Sequence, residues 1–139
     1  MKHYTNRLYW VAIAVLFGYF AYTKGWILAN FETITPKQAY QMLQDDHNVT
    51  LLDVRTQQEF TQGHISGAKL IPLSVLSENL TKLNRDKNKK VIVYCHSGNR
   101  SIAASRILEK QGFVPLNLGG GITEWIRSGL PVAKEHKAF

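Results

Sequence analysis

The sequence predicts an α/β fold, one mostly parallel sheet with helices on both faces, behind a separate apolar helix at the N-terminus. Short runs rich in β-branched and aromatic residues, at 49–54, 69–71, 91–94 and 114–118, alternate with stretches whose apolar residues recur at helical spacing. Start and stop signals bracket the helical stretches, Thr35-Pro36 opening one and Gly112 closing another. Nothing repeats internally, and 139 residues suffice for one domain with a real core.

The first element is apolar and aromatic. From Leu8 to Thr23 there is no charge; Lys24 interrupts, and Gly25-Trp26-Ile27-Leu28-Ala29 resumes. Residues 8–29 as helix would extend roughly 33 Å at about 1.5 Å per residue, enough for a bilayer core if Lys24 snorkels to the interface. Tyr9, Trp10, Tyr22 and Trp26 lie near the two ends, where interfacial aromatics belong. The expectation is a single-pass membrane anchor over 1–29 and a globular domain over 30–139. A cleaved signal peptide is the alternative, although Ala21-Tyr22-Thr23 lacks the small residues of a cut site. A core helix, the third reading, is rarely apolar all round at an extreme terminus. The flanking charges, Lys2 and Arg7 before and Lys24 and Lys37 after, leave the side of the membrane open.

In the globular part, residues 30–35 read as a link. Thr35-Pro36 starts a helix with Ala39, Tyr40 and Leu43 on one face, ending near Asp45-Asp46. A strand at 49–54 carries Asp53 and Arg55 at its carboxyl end, read as an ion-paired brace with Glu59. Residues 57–62 form a short helix, and Gly63-His64 turns toward the strand at 69–71. Leu76, Leu80 and Leu83 mark an amphipathic helix. After the last strand, Gly119-Gly120-Gly121 lets backbone pass close to a neighbour, Ile122, Trp125 and Ile126 pack inward, and Gly129 caps.

The formal net charge of +7 is scattered, with one cluster, Lys87-Asn88-Lys89-Lys90, read as a solvated turn before a strand and not as a nucleic-acid patch. One cysteine cannot form an internal disulfide, and neither a zinc spacing nor G-x-G-x-x-G occurs, so no metal or cofactor is expected. Three Asn-x-Ser/Thr matches include one inside the cysteine's own loop, which argues that they arise by chance.

That loop, Cys95-His96-Ser97-Gly98-Asn99-Arg100-Ser101, is what the fold is built to hold. Cys95 follows the apolar run Val91-Ile92-Val93-Tyr94 at a strand's carboxyl end, and Ile102, Ala103, Ile107 and Leu108 continue as a helix. Backbone N–H groups at a helix start form a concave anion site that favours thiolate over thiol, and Arg100 adds a full charge. A buried structural cysteine is the plain alternative, but an apolar site needs neither Gly98 nor Arg100.

The loop, C-x-x-G-x-R-S, resembles that of the rhodanese family of sulfurtransferases. Leu51-Leu52-Asp53-Val54-Arg55 with Glu59-Phe60 and Gly63-His64-Ile65-Ser66-Gly67-Ala68 is similar to the family's preceding segment. Gly119-Gly120-Gly121-Ile122-Thr123-Glu124-Trp125 with Gly129-Leu130-Pro131-Val132 is similar to its closing helix and tail. The three blocks cover roughly residues 33 to 133. The resemblance implies that Cys95 reacts, that Asp53, Arg55 and Glu59 shape the site without reacting, and that His64 is a hydrogen-bonded turn residue and not a base.

Cysteine phosphatases share the amide-lined, arginine-closed cradle, but their spacing is C-x5-R; the C-x4-R ring from Cys95 to Arg100 suits the single outer sulfur of a persulfide. The expected reaction is double displacement, with thiosulfate or a similar anion as donor and cyanide or a thiol as acceptor. Arg100 and His96 would attract the donor and Ser97 could bond it. Gly98 and Asn99 would serve the loop's backbone, Asn99 at an unusual angle. The alternative is a carrier or membrane-tethered interaction module, with Cys95 loaded by and discharged to other proteins.

Overall fold

A computed structural model describes residues 2–24 and 30–134. A single five-stranded sheet forms the centre, made of β1 (Glu32–Ile34), β2 (Val49–Asp53), β3 (Lys69–Leu70), β4 (Lys90–Tyr94) and β5 (Val114–Leu118). Its order is β1-β5-β4-β2-β3, and every pair is parallel. The helices are α1 (Lys2–Thr23), α2 (Pro36–Asp45), α3 (Gln57–Gln62), α4 (Asn99–Lys110) and α5 (Gly121–Arg127).

Parallel strands need crossovers, and crossovers cover both faces, so each strand is apolar in both directions. On one face, Leu52, Val54, Val91 and Val93 pack with Leu108 of α4 and with Leu76 and Leu83. On the other, Leu51, Ile92, Tyr94, Leu116 and Leu118 pack with Ala39 of α2 and Trp125 of α5. The α/β sheet with helices on both faces is therefore as expected from the sequence.

Local signals set the helix starts. Thr35 caps α2, its hydroxyl accepting from the Gln38 N–H while the Gln38 side chain accepts from the Thr35 N–H, and Pro36 follows. Thr56 and Glu59 make the same reciprocal box at α3.

Three expectations are corrected. The supposed link contains β1, a three-residue edge strand defined by its pairing with β5. The amphipathic helix through Leu76, Leu80 and Leu83 is instead two 3₁₀ segments, Leu73–Val75 and Leu80–Asp86. Asn79 lies between them, and its side-chain amide donates to the Val75 carbonyl, a local bond that competes with a continuing helix. Ile126 points outward, 54% exposed.

The membrane anchor expected over 1–29 is not shown. Among the described residues no helix is long and apolar enough to cross a membrane. The uncharged part of α1, Leu8 to Thr23, makes roughly 24 Å of helix at about 1.5 Å per residue, short of a ~30 Å hydrocarbon core. The expected continuation, 25–29, lies outside the described residues.

Candidate active site

Cys95 follows β4 directly, at the carboxyl edge of the sheet where open α/β folds place their sites. The chain then turns through Gly98, at φ +105°, into α4. A side chain at 98 would be strained there and its Cβ would sit 3.3 Å from the Gly120 nitrogen, so glycine is required. The unusual angle thus falls on Gly98. Asn99, expected to share it, is the first helical residue.

The turn brings the Gly98 N–H to Cys95 Sγ at 3.0 Å. Ser101 Oγ stands 3.5 Å from the same sulfur and donates to the Gly98 carbonyl at 3.2 Å. The first turn of α5 holds the loop from behind. The Ile122 N–H donates to the Cys95 carbonyl at 2.9 Å, while the Thr123 N–H and hydroxyl donate to the His96 carbonyl at 3.1 and 2.9 Å. Ile122 and Thr123 are parts of the site that residue chemistry did not single out, because they act through backbone across the sheet.

Arg100 was expected to meet the donor. Its guanidinium is paired with Glu59, Nη1 to Oε2 at 2.8 Å and Nη2 to Oε1 at 2.7 Å. Glu59 also accepts from the N–H and hydroxyl of Thr56. It therefore belongs to Arg100 and not to the Asp53–Arg55 brace. That brace is a buried pair of its own: Arg55 Nη2 lies 2.7 Å from Asp53 Oδ2 and donates to the Gly63 carbonyl at 2.7 Å. The Arg55 guanidinium lies over the Tyr94 ring, 5.5 Å from its centroid. Burial is the largest single influence and works against the Arg55 charge, but Asp53 and Tyr94 together outweigh it and the pKa is raised.

His64 stacks on Phe60 with ring centroids 3.7 Å apart, and Nδ1 lies 2.9 Å from the Phe60 carbonyl. Its backbone pairs with Ala133, tying down the tail. His96 and Ser97 are exposed on the loop.

A cleft of about 420 Å³ opens beside the loop, lined by Arg55, Glu59, His96, Arg100, Ile122 and Ile126 among others. Another cavity, of about 380 Å³ against Tyr40, His47 and Trp125, shares no residue with the loop. The sulfur itself is covered. Cys95 is 1% exposed, and its neighbours His96 and Arg100 line the cleft in its place. The thiol is thus a sheltered one.

The Arg100 guanidinium holds the Glu59 carboxyl at about 2, well below the usual 4.5. With the folded value below the unfolded one, the stabilisation is complete above about pH 4.5 and is lost as pH falls toward 2. The Arg100 side chain is 37% exposed, so screening leaves a contribution of about 1 kcal/mol. Glu59→Gln is expected to lower the urea midpoint at pH 6, with the gap to the parent closing between pH 4.5 and 2. A gap constant across that range would mean the pair contributes nothing.

The described residues thus form a parallel α/β domain that presents one sheltered cysteine, its sulfur met by the Gly98 N–H, with Arg100 and Glu59 paired on the same loop's flank. The family model for the Rhodanese-like domain matches residues 35–128, and the chain belongs to that family. It is 40% identical over 93 residues to a sulfurtransferase of Allochromatium vinosum, covering 66% of this chain and 85% of that protein. Some relatives are much longer, and the chain spans 26% of a Mycobacterium tuberculosis protein to which it is 37% identical over 106 residues. Among solved structures, a rhodanese-related protein of Thermoplasma volcanium superposes with a TM-score of 0.69 at 37% identity, over 76% of this chain and 100% of that one. The polysulfide-sulfur transferase homodimer of Wolinella succinogenes superposes at 0.71 with 29% identity, over 86% and 90%.

Proposed function

We propose that the protein is a sulfurtransferase that carries sulfane sulfur on Cys95, taking it from an anionic donor such as thiosulfate and passing it to cyanide or a thiol. Family membership supports sulfur handling. The observation that carries the assignment to this atom is the 3.0 Å contact from the Gly98 N–H to Sγ in a C-x4-R turn, which favours negative charge on that sulfur and on one bonded to it.

The Cys95 thiolate attacks the outer sulfur of thiosulfate, a new S–S bond forms, and the old one breaks with its electron pair leaving on sulfite. Cyanide then attacks the terminal sulfur of the persulfide. The Cys95 S–S bond breaks, thiocyanate departs, and the thiolate returns. A thiolate acceptor would leave instead as its own persulfide. Because Cys95 is 1% exposed, either partner reaches Sγ only when the loop around it opens.

The same shelter favours a second reading, a carrier loaded by a docking protein that opens the loop. Thiosulfate and cyanide supplied to the full-length protein decide between them. Steady thiocyanate production supports the enzyme. Mass gain of one sulfur only after adding a protein donor supports the carrier.

The reading also holds the domain at a membrane through residues 8–29. Its support is the outward set of apolar side chains on α1, among them Leu8, Trp10, Val15 and Phe17, for which lipid is a better medium than water. The span requires 25–29 to continue the helix and the contacts of Tyr22 and Lys24 with α4 to lie at the membrane surface, beside the domain. Retention in the membrane fraction through alkaline carbonate washing is expected; release by that wash overturns the anchor and leaves the chemistry untouched.

A further inference from the structure

The loop's own guanidinium is committed to Glu59, in a pair that stays ionised throughout the neutral range. A second cation reaches the loop from the N-terminal helix. Lys24 Nζ donates to Asn99 Oδ1 at 3.0 Å. Asn99 adjoins Gly98, whose N–H holds the sulfur.

The contact is anchored on both sides. Ala21 is buried, the Arg106 guanidinium of α4 lies 4.0 Å from the centroid of the Tyr22 ring, and Arg106 Nη2 donates to the Tyr22 carbonyl. Those contacts seat the end of α1 on α4 and fix where Lys24 can reach. Among the described residues Lys24 has no carboxylate partner; its other neighbour is the face of Phe20, 5.7 Å away. An ammonium balanced only by an amide oxygen and a ring keeps its field, whereas a guanidinium chelated by a carboxylate largely loses it.

We propose that Lys24 supplies the charge that draws an anionic sulfur donor to the Cys95 loop, which makes the end of α1 part of the transfer site. The inference rests on Cys95 being the reacting sulfur. Lys24 is a positioning residue: it acts on the donor's approach through its field and through Asn99, and it touches no bond that breaks.

Cys95 is the only cysteine, so alkylation of the full-length protein reports that sulfur alone. Iodoacetate and iodoacetamide must reach the same atom through the same opening, and only the first is an anion. Their rate ratio therefore isolates local charge from loop mobility. Lys24→Gln is expected to lower the iodoacetate-to-iodoacetamide ratio by about threefold, the scale of one unit charge acting through a nearly aqueous medium. Added salt should shrink the parent's ratio toward that of the variant. Lys24→Arg is expected to keep the ratio, and Lys110→Gln, the same charge loss at the far end of α4, to leave it in place.

A Lys24→Gln ratio equal to the parent's overturns the proposal. So does the same fall in Lys110→Gln, which would mean net charge and not position, and so does a Lys24→Arg ratio as low as that of the glutamine variant. Failure of Cys95 to react with either reagent would remove the reacting sulfur and both readings together. Ordinary rates with an unchanged ratio remove the role of Lys24 alone.

Discussion

Alanine at Gly121 is expected to destabilise the domain by about 2–4 kcal/mol and to cut sulfur transfer further than the lost folded fraction explains. Gly121 sits at φ +59°, where a side chain is already strained. A Cβ built there would lie 2.5 Å from the Cys95 carbonyl oxygen and 2.6 Å from that of His96. Both are backbone atoms, so no rotamer change relieves the collision. Either the loop moves or α5 does, and the bonds from Ile122 and Thr123 to those same carbonyls go with it. Gly67→Ala provides the comparison, with φ +83° but nothing within 4 Å of its Cβ, so strain alone applies, at about 1 kcal/mol. Urea midpoints and transfer rates at a temperature where both variants are folded measure the two effects. A Gly121 variant no worse than the Gly67 one would show that the loop is not held from behind.

That dependence on α5 was only half visible in the sequence. The run Gly119-Gly120-Gly121 announces a close approach of backbone, but what it approaches lies about 25 positions earlier and is set by β4 and β5 being neighbours in the sheet. The same division runs through the whole fold. β2, β4 and β5 and helices α2, α3 and α4 are legible because short apolar runs, capping residues and Gly112 are local signals, and the Cys95 turn is legible because its residues are consecutive. β1 is not, since three residues have no periodicity to read and the strand exists through its pairing with β5, reinforced by the Asn117 amide donating to Thr33 Oγ1 across 84 positions.

Partner choice among charges is the least local property of all. Glu59 had two arginines within reach of any plausible reading, Arg55 four residues away and Arg100 forty-one. Asp53 decides the matter, because its carboxylate accepts from Nε and Nη2 of Arg55 as well as from the Arg55 N–H, leaving that guanidinium satisfied before Glu59 can compete. Arg100 then takes Glu59, whose geometry the Thr56 box had already fixed. The capping box was readable as Thr-x-x-Glu. Its consequence for the site was not, because that needs the distance between α3 and α4.

The largest effect of all is expected at the sulfur. Cys95→Ser should fold as the parent does, since an oxygen is smaller than the sulfur and can still accept from the Gly98 N–H and contact Ser101. Transfer from thiosulfate should nonetheless fall by at least about 10³-fold, to background, because a hydroxyl is a poor nucleophile at neutral pH and an O–S linkage cannot hold sulfane sulfur for an acceptor. Ser101→Ala probes how the pocket supports the charge. In the thiol state Sγ–H points to Ser101 Oγ and that hydroxyl donates to the Gly98 carbonyl. Once the sulfur is an anion, the hydroxyl can turn and donate to it, so losing it should slow persulfide formation by about tenfold, one charge-assisted bond's worth. Intact mass measured over time after thiosulfate addition reads both variants. A serine variant that still gains sulfur would place the carrier atom elsewhere in the chain. A serine variant that unfolds would be replaced by Cys95→Ala, and sulfur uptake by that variant would end the proposal outright.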